Sequence, residues 1–229
     1  MAEDKRNWKQ ELRKFHTWLS ANQDYLAMLS HGSIATGDPW IPGFSDYDII
    51  ILYKKDQLNN FVKAKAYLEK AKFSDHFHFY PLSEEQLLGR GTNTFGFSNT
   101  FRTKLLFGKD VLKRLNLPER KASLQLYQGE IEKEKASLQI FLVNSGYKSV
   151  EKIRKEFWTR FKHIFMLLAV KIYAETGDYP KTRKEVVKRL NAPAELVDAW
   201  DVLHNLPAKS KEEILKSAQR LLEYIQKLR

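Results

Sequence analysis

Asp46-Tyr47-Asp48 runs directly into Ile49-Ile50-Ile51-Leu52. An apolar run of that kind reads as a strand buried on both faces. A carboxylate at its mouth is costly to desolvate unless something pairs with it. Residues two apart on a strand share a face, so both carboxylates point the same way. The segment upstream, His31-Gly32-Ser33-Ile34-Ala35-Thr36-Gly37-Asp38-Pro39-Trp40-Ile41-Pro42-Gly43-Phe44-Ser45, is a loop rich in Gly and Pro. It follows a short apolar stretch from Tyr25 to Leu29 that reads as a first strand.

A divalent cation accounts for this arrangement. Asp46 and Asp48 together offer hard oxygen ligands for Mg²⁺, which bridges phosphates readily. Gly32 lets a phosphate approach the backbone, and Ser33 adds a hydroxyl and exposed amides. The expected chemistry is phosphoryl transfer, with phosphate oxygens shared between the turn and the metal.

The remaining sequence places these residues in a chain of two parts. Trp8, Leu12, Phe15 and Leu19 form one stripe of an opening helix, and a second helix is expected over about 57–70. A third strand is expected from His76 to Leu82, with Pro81 at its end. There Phe77 and Phe79 share the core face while His76 and His78 point to the active face; Asp75 has the parity of the phenylalanines. Gly89, Gly91 and Gly96 mark a loop, and Phe101 to Phe107 fits strand or helix. Beyond Pro118 the pattern is helical throughout. Helices are expected over about 121–144, from a Ser149 cap to Gly177, and between Pro193 and Pro207. Two further helices open at the capping boxes Thr182–Glu185 and Ser210–Glu213. The fold class read from this is α+β, with a small mixed sheet in an N-terminal α/β domain, 1–117, and a C-terminal helical bundle, 118–229.

The formal net charge is +11, with 17 Lys/Arg against 13 Asp/Glu up to residue 115 and 22 against 15 beyond it. A basic balance favours anionic partners, although lysine-rich solvated helix faces account for much of it. No cysteine is present, which excludes disulfides and thiolate chemistry. The opening MAEDKRNWKQELRK lacks the apolar core of a signal peptide, and the densest apolar run, Ile164 to Ile172, is interrupted by Lys171. A soluble, cytoplasmic chain with no membrane partner is expected.

Gly32-Ser33, then Gly37, then Ser45-Asp46-Tyr47-Asp48 before an apolar strand resembles the nucleotidyltransferase superfamily, which includes DNA polymerase β and the aminoglycoside adenylyltransferases. Twelve residues separate Ser33 from Asp46, slightly more than in its minimal members. Lys104-Leu-Leu-Phe-Gly-Lys-Asp-Val-Leu112 resembles the turn that often closes this domain. The resemblance covers about residues 26–112; for the bundle it is architectural only. It implies Mg²⁺-dependent transfer of a nucleoside monophosphate from an NTP, ATP among the possibilities, to an acceptor hydroxyl. Asp46 and Asp48 would hold the metal, and Gly32 and Ser33 the triphosphate. The acceptor is a small molecule or an RNA end.

The family's third carboxylate, on the strand after the intervening helix, has no clear counterpart here. Three readings stay open: His76 or His78 replaces it as base or ligand; Asp75 serves from the strand end; or the site is incomplete, leaving a module that binds RNA or protein. Related enzymes often send a basic residue from the helical half to the triphosphate, which makes Lys181 and Arg183 candidates; Arg102 and Lys104 are others. His16, His31, His163 and His204 are read as structural, and Arg160 and His163 lack the spacing of a bundle ribonuclease.

Overall fold

The computed structural model describes residues 8–38, 41, 43–55, 58–71, 77–88 and 100–228. Helix α1 (Trp8–Leu19) precedes β1 (Tyr25–His31), and a single turn, α2 (Ser33–Thr36), follows. Strand β2 (Tyr47–Tyr53) is followed by α3 (Leu58–Ala71), β3 (Phe77–Ser83), the short α4 (Glu84–Leu88) and β4 (Thr103–Gly108). The rest is helical: α5 (Arg120–Val143), α6 (Val150–Thr176), α7 (Arg183–Arg189), α8 (Ala194–His204) and α9 (Lys211–Lys227).

The sheet is mixed and ordered β3-β2-β1-β4. Strands β1 and β2 pair antiparallel, as do β1 and β4, while β2 and β3 are parallel and joined through α3. Phe101–Phe107, open between strand and helix in the sequence, thus belongs largely to a strand. Central β1 and β2 are almost wholly buried, as their apolar runs require. One sheet face packs Met28, Ile49 and Ile51 against Leu12, Phe15 and Leu19 of α1 and Ala64 of α3. Phe79 meets Phe15 edge-on at 5.6 Å, confirming the core parity of the β3 phenylalanines. The other face carries Leu29, Ile50 and Leu52, packed with Leu82, Leu87 and Val111.

The helical core is built around α6, a 27-residue helix with 13 buried side chains. Ser149 caps its start by accepting from the Lys152 amide, and Gly177, at φ 80°, closes its end. Ser210 and Glu213 form a complete capping box on α9. The loop before β2 and the lead-in to β4 enter this helical core: Ile41 is 1% exposed within it, and Phe44 and Phe101 pack against it. Among the described residues no helix is long and apolar enough to cross a membrane.

Candidate active site

Register brings the site together. His31 on β1 pairs with Asp48 on β2, Asp48 with His78 on β3, and His31 with Thr103 on β4. Directly paired residues share a face, so one row of the sheet carries Thr103, His31, Asp48 and His78. The His31 ring sits 3.0 Å from Thr103 Oγ1. Burial, with Arg102 and Lys162 nearby, pushes its imidazole down to about 4, which makes it a neutral structural group, as its isolation in the sequence suggests.

Gly32 continues from β1 with φ 68° and donates its amide to the Arg102 carbonyl at 3.0 Å. A Cβ at this position would lie 3.0 Å from Asp48 Oδ2. The sign of φ demands glycine, and any Cβ would press on the carboxylate, because the backbone passes directly beside it. Ser33 then opens α2, whose first amides lack intrahelical partners, and Gly37 ends it at φ 83°.

Asp46 Oδ2 and Asp48 Oδ1 each lie 3.9 Å from His78 Nδ1, so the two acids converge on one imidazole. Burial raises the Asp48 carboxyl above its ordinary range; Lys162 opposes this and Asp46 adds to it. The Tyr80 hydroxyl, on the same β3 face as His78, hydrogen-bonds Asp48, and burial together with that carboxylate pushes it up to about 12. From the helical side, Lys162 of α6 feels both acids, while burial and Arg183 lower its ammonium. Its Nζ lies 5.1 Å from the centre of the Trp158 ring.

Lys181 and Arg183 fall differently from their expected roles. Lys181 is exposed at the lead-in to α7. Arg183 is 4% exposed, with Nε 3.7 Å from Asp38 and its guanidinium 5.3 and 6.0 Å from the rings of Trp158 and Trp200. Arg102 also pairs with Asp38, at 3.1 Å, and Lys104 is exposed. His76 and Asp75 lie outside the described residues, as do Gly89, Gly91 and Gly96. His163 contacts Glu134 at 2.7 Å, His16 meets the Tyr25 hydroxyl at 2.8 Å, and His204 the Trp200 carbonyl at 3.0 Å; all three are spent on local partners.

Three contributors escaped sequence reasoning. Lys162 had a signal: it lies four residues after Trp158, a cation on an otherwise buried stripe of α6. Tyr80 shares the parity of His78. Asp38 had none, since its arginine partners lie 64 and 145 residues away.

The donor set suits a hard cation, with two carboxylates on one face and Gly32, which has no side chain, beside them. Among the described residues no group of three or more His, Cys, Asp or Glu is placed to hold a metal.

No protein-family model matches the chain, and no curated protein matches it. Solved structures do. The chain is similar to spectinomycin adenyltransferase from Enterococcus faecialis, solved with ATP and spectinomycin, at 12% identity and a TM-score of 0.51, covering 95% of this chain and 99% of that one. A nucleotidyltransferase-like protein from Exiguobacterium sibiricum matches at 16% identity and a TM-score of 0.32, covering 95% and 74%. The first likeness, over nearly the whole of both chains, shows that this chain has the nucleotidyltransferase fold, as its turn and acid pair led us to expect.

Proposed function

We propose that this chain is a Mg²⁺-dependent nucleotidyltransferase, moving a nucleoside monophosphate from an NTP to an acceptor hydroxyl with release of pyrophosphate. Residues 1–117 carry the nucleotide chemistry, and residues 118–229 supply the facing wall. The observation that carries this reading is the convergence of Asp46 and Asp48, each 3.9 Å from His78, beside Gly32, whose positive φ and missing side chain bring the backbone against the Asp48 carboxylate. Asp46 and Asp48 would hold Mg²⁺, which when bound neutralises phosphate charge and orients an in-line displacement.

The chain's own groups do the rest. Gly32 admits the triphosphate to the backbone, and Ser33 offers its hydroxyl and the free amides that open α2. Lys162 places a cation across from the acids and takes the role that Lys181 and Arg183 had by resemblance. His78, about half exposed on the acid face, accepts the acceptor's proton as its hydroxyl attacks. Positioning and charge stabilisation account for the catalysis, with no covalent intermediate on the protein. A small hydroxylated molecule is the acceptor class we favour, because the similar adenyltransferase was solved with ATP and a small molecule. Nothing in the comparisons supports an RNA end.

A panel of labelled NTPs and hydroxylated acceptors with Mg²⁺ tests the reading. Pyrophosphate release is expected from the wild type and is expected to fall at least about a hundredfold in Asp46→Ala. A second reading, a catalytically impaired module, is favoured by one observation: the described residues supply no third carboxylate beside the pair. Nucleotide binding without pyrophosphate release across the whole panel decides for the module.

A further inference from the structure

Asp38 is a second buried carboxylate, outside the acid pair and with a side chain only 1% exposed. It follows the Gly37 cap of α2 and gathers donors from three parts of the chain. Oδ2 accepts from Thr36 Oγ1 at 3.1 Å and from Arg102 Nη2 at 3.1 Å. Oδ1 accepts from the backbone amide of Arg183 at 2.9 Å. That amide belongs to the first residue of α7 and so has no partner within its own helix. Arg102 closes the circle, since its carbonyl takes the amide of Gly32 at 3.0 Å. Turn, β4 lead-in and α7 therefore meet on one carboxylate.

Such a cluster is a poor source of stability. Desolvating one acid and two guanidinium groups offsets most of what their attraction returns. The cluster is also imperfectly satisfied: Arg102 Nε and both terminal nitrogens of Arg183 have no hydrogen-bond partner among the described residues. Around them lies a cavity of about 10 Å³, lined by Asp38, Arg102, Tyr179 and Arg183 among others, large enough for about one water. What the cluster does provide is geometry. It ties the segment that follows the Gly32–Ser33 turn to the first residue of α7.

We propose that Asp38 is a positioning residue, coupling the Gly32–Ser33 turn to the start of α7 so that the nucleotide seat forms only while the helical half is docked. Its consequence for nucleotide binding rests on the function proposed above; the coupling itself does not.

Amide hydrogen exchange on the full chain tests it, with Asp38→Asn and Arg183→Pro as variants. Proline is tolerated at a first helical position and deletes the very amide that Asp38 accepts. Thr182, at φ −116° and ψ 156°, already has the extended backbone that precedes proline. Arg183→Met, which keeps the amide, isolates the loss of the guanidinium. Amides of residues 32–37 are expected to exchange at least about tenfold faster in Asp38→Asn and Arg183→Pro, with β2 unchanged. Binding of Mg·ATP, followed with a fluorescent analogue, is expected to weaken about tenfold in both. Unchanged exchange at 32–37 in folded Arg183→Pro overturns the proposal, and so does uniform acceleration that includes β2. If the wild type binds no ATP while Arg183→Pro still loosens 32–37, the coupling stands and the assigned function falls.

Discussion

At the scale of single residues, the site concentrates groups held away from their preferred environment. Gly32 carries a positive φ and has the Asp48 carboxylate at its back. Gly32→Ala is therefore expected to cost about 1–2 kcal/mol by chemical denaturation, and to weaken nucleotide binding by displacing Asp48. Asp48 itself is desolvated and repelled by Asp46. In the presence of a chelator, Asp48→Asn is expected to raise the melting temperature while abolishing the proposed transfer, as stability and activity trade where two carboxylates are held together. His31 gives a pH signature. Its folded pKa of about 4 lies below the ordinary 6.5, so the folded state binds fewer protons than the unfolded one between those values. The stabilisation is complete above pH 6.5 and is lost as the pH falls toward 4, an effect of about 3 kcal/mol for this group. Denaturation midpoints across that range are expected to fall in the wild type and to flatten in His31→Asn. Of these residues, Gly32, Asp46, Asp48 and His78 were legible from the sequence, because each depends on local spacing or strand parity. Lys162 shows locally only as a cation on a buried stripe of α6, and Asp38 meets its arginine partners across 64 and 145 residues, which no local pattern encodes.

Elements were read best where burial is two-sided or caps are chemical. The Ile-Ile-Ile-Leu run gave β2, the Ser149 and Gly177 caps gave α6, and alternation on β3 separated Phe79 from His78. Strand β4 was harder, since Thr103–Gly108 has an exposed edge and a mixed burial pattern. Its register is set from outside, by pairing with β1 through an irregularity between Met28 and Leu29. Gly108 is the tightest point of that pairing: at φ 90°, an added Cβ would sit 2.4 Å from the Leu26 carbonyl oxygen. Backbone cannot yield there as a flexible side chain would. Gly108→Ala is expected to destabilise the chain by at least about 3 kcal/mol, far more than Gly129→Ala, whose Cβ meets nothing within 4 Å. Paired urea melts of the two variants check this.

At the scale of the whole molecule, the sheet and the helical bundle share a core as well as a site. Ile41 is sealed in the helical core, and Phe101 stacks on Tyr179 at 4.4 Å with ring planes 7° apart. These side chains are unburied whenever the halves separate, so the chain is expected to unfold in a single calorimetric transition. Two resolved transitions would show that the halves fold independently. The change to a helical pattern beyond Pro118 places a division near residue 117 but carries no sign of this interlock, whose apolar residues Ile41, Phe101 and Tyr179 lie outside the strands of the sheet. The stack of Lys162, Trp158 and Arg183, with the two cations 5.1 and 5.3 Å from one indole ring, has an optical consequence. An anion arriving at Lys162 is expected to alter the field across that ring, and the Trp158 contribution to ultraviolet emission is then expected to shift with occupancy, with no dye attached.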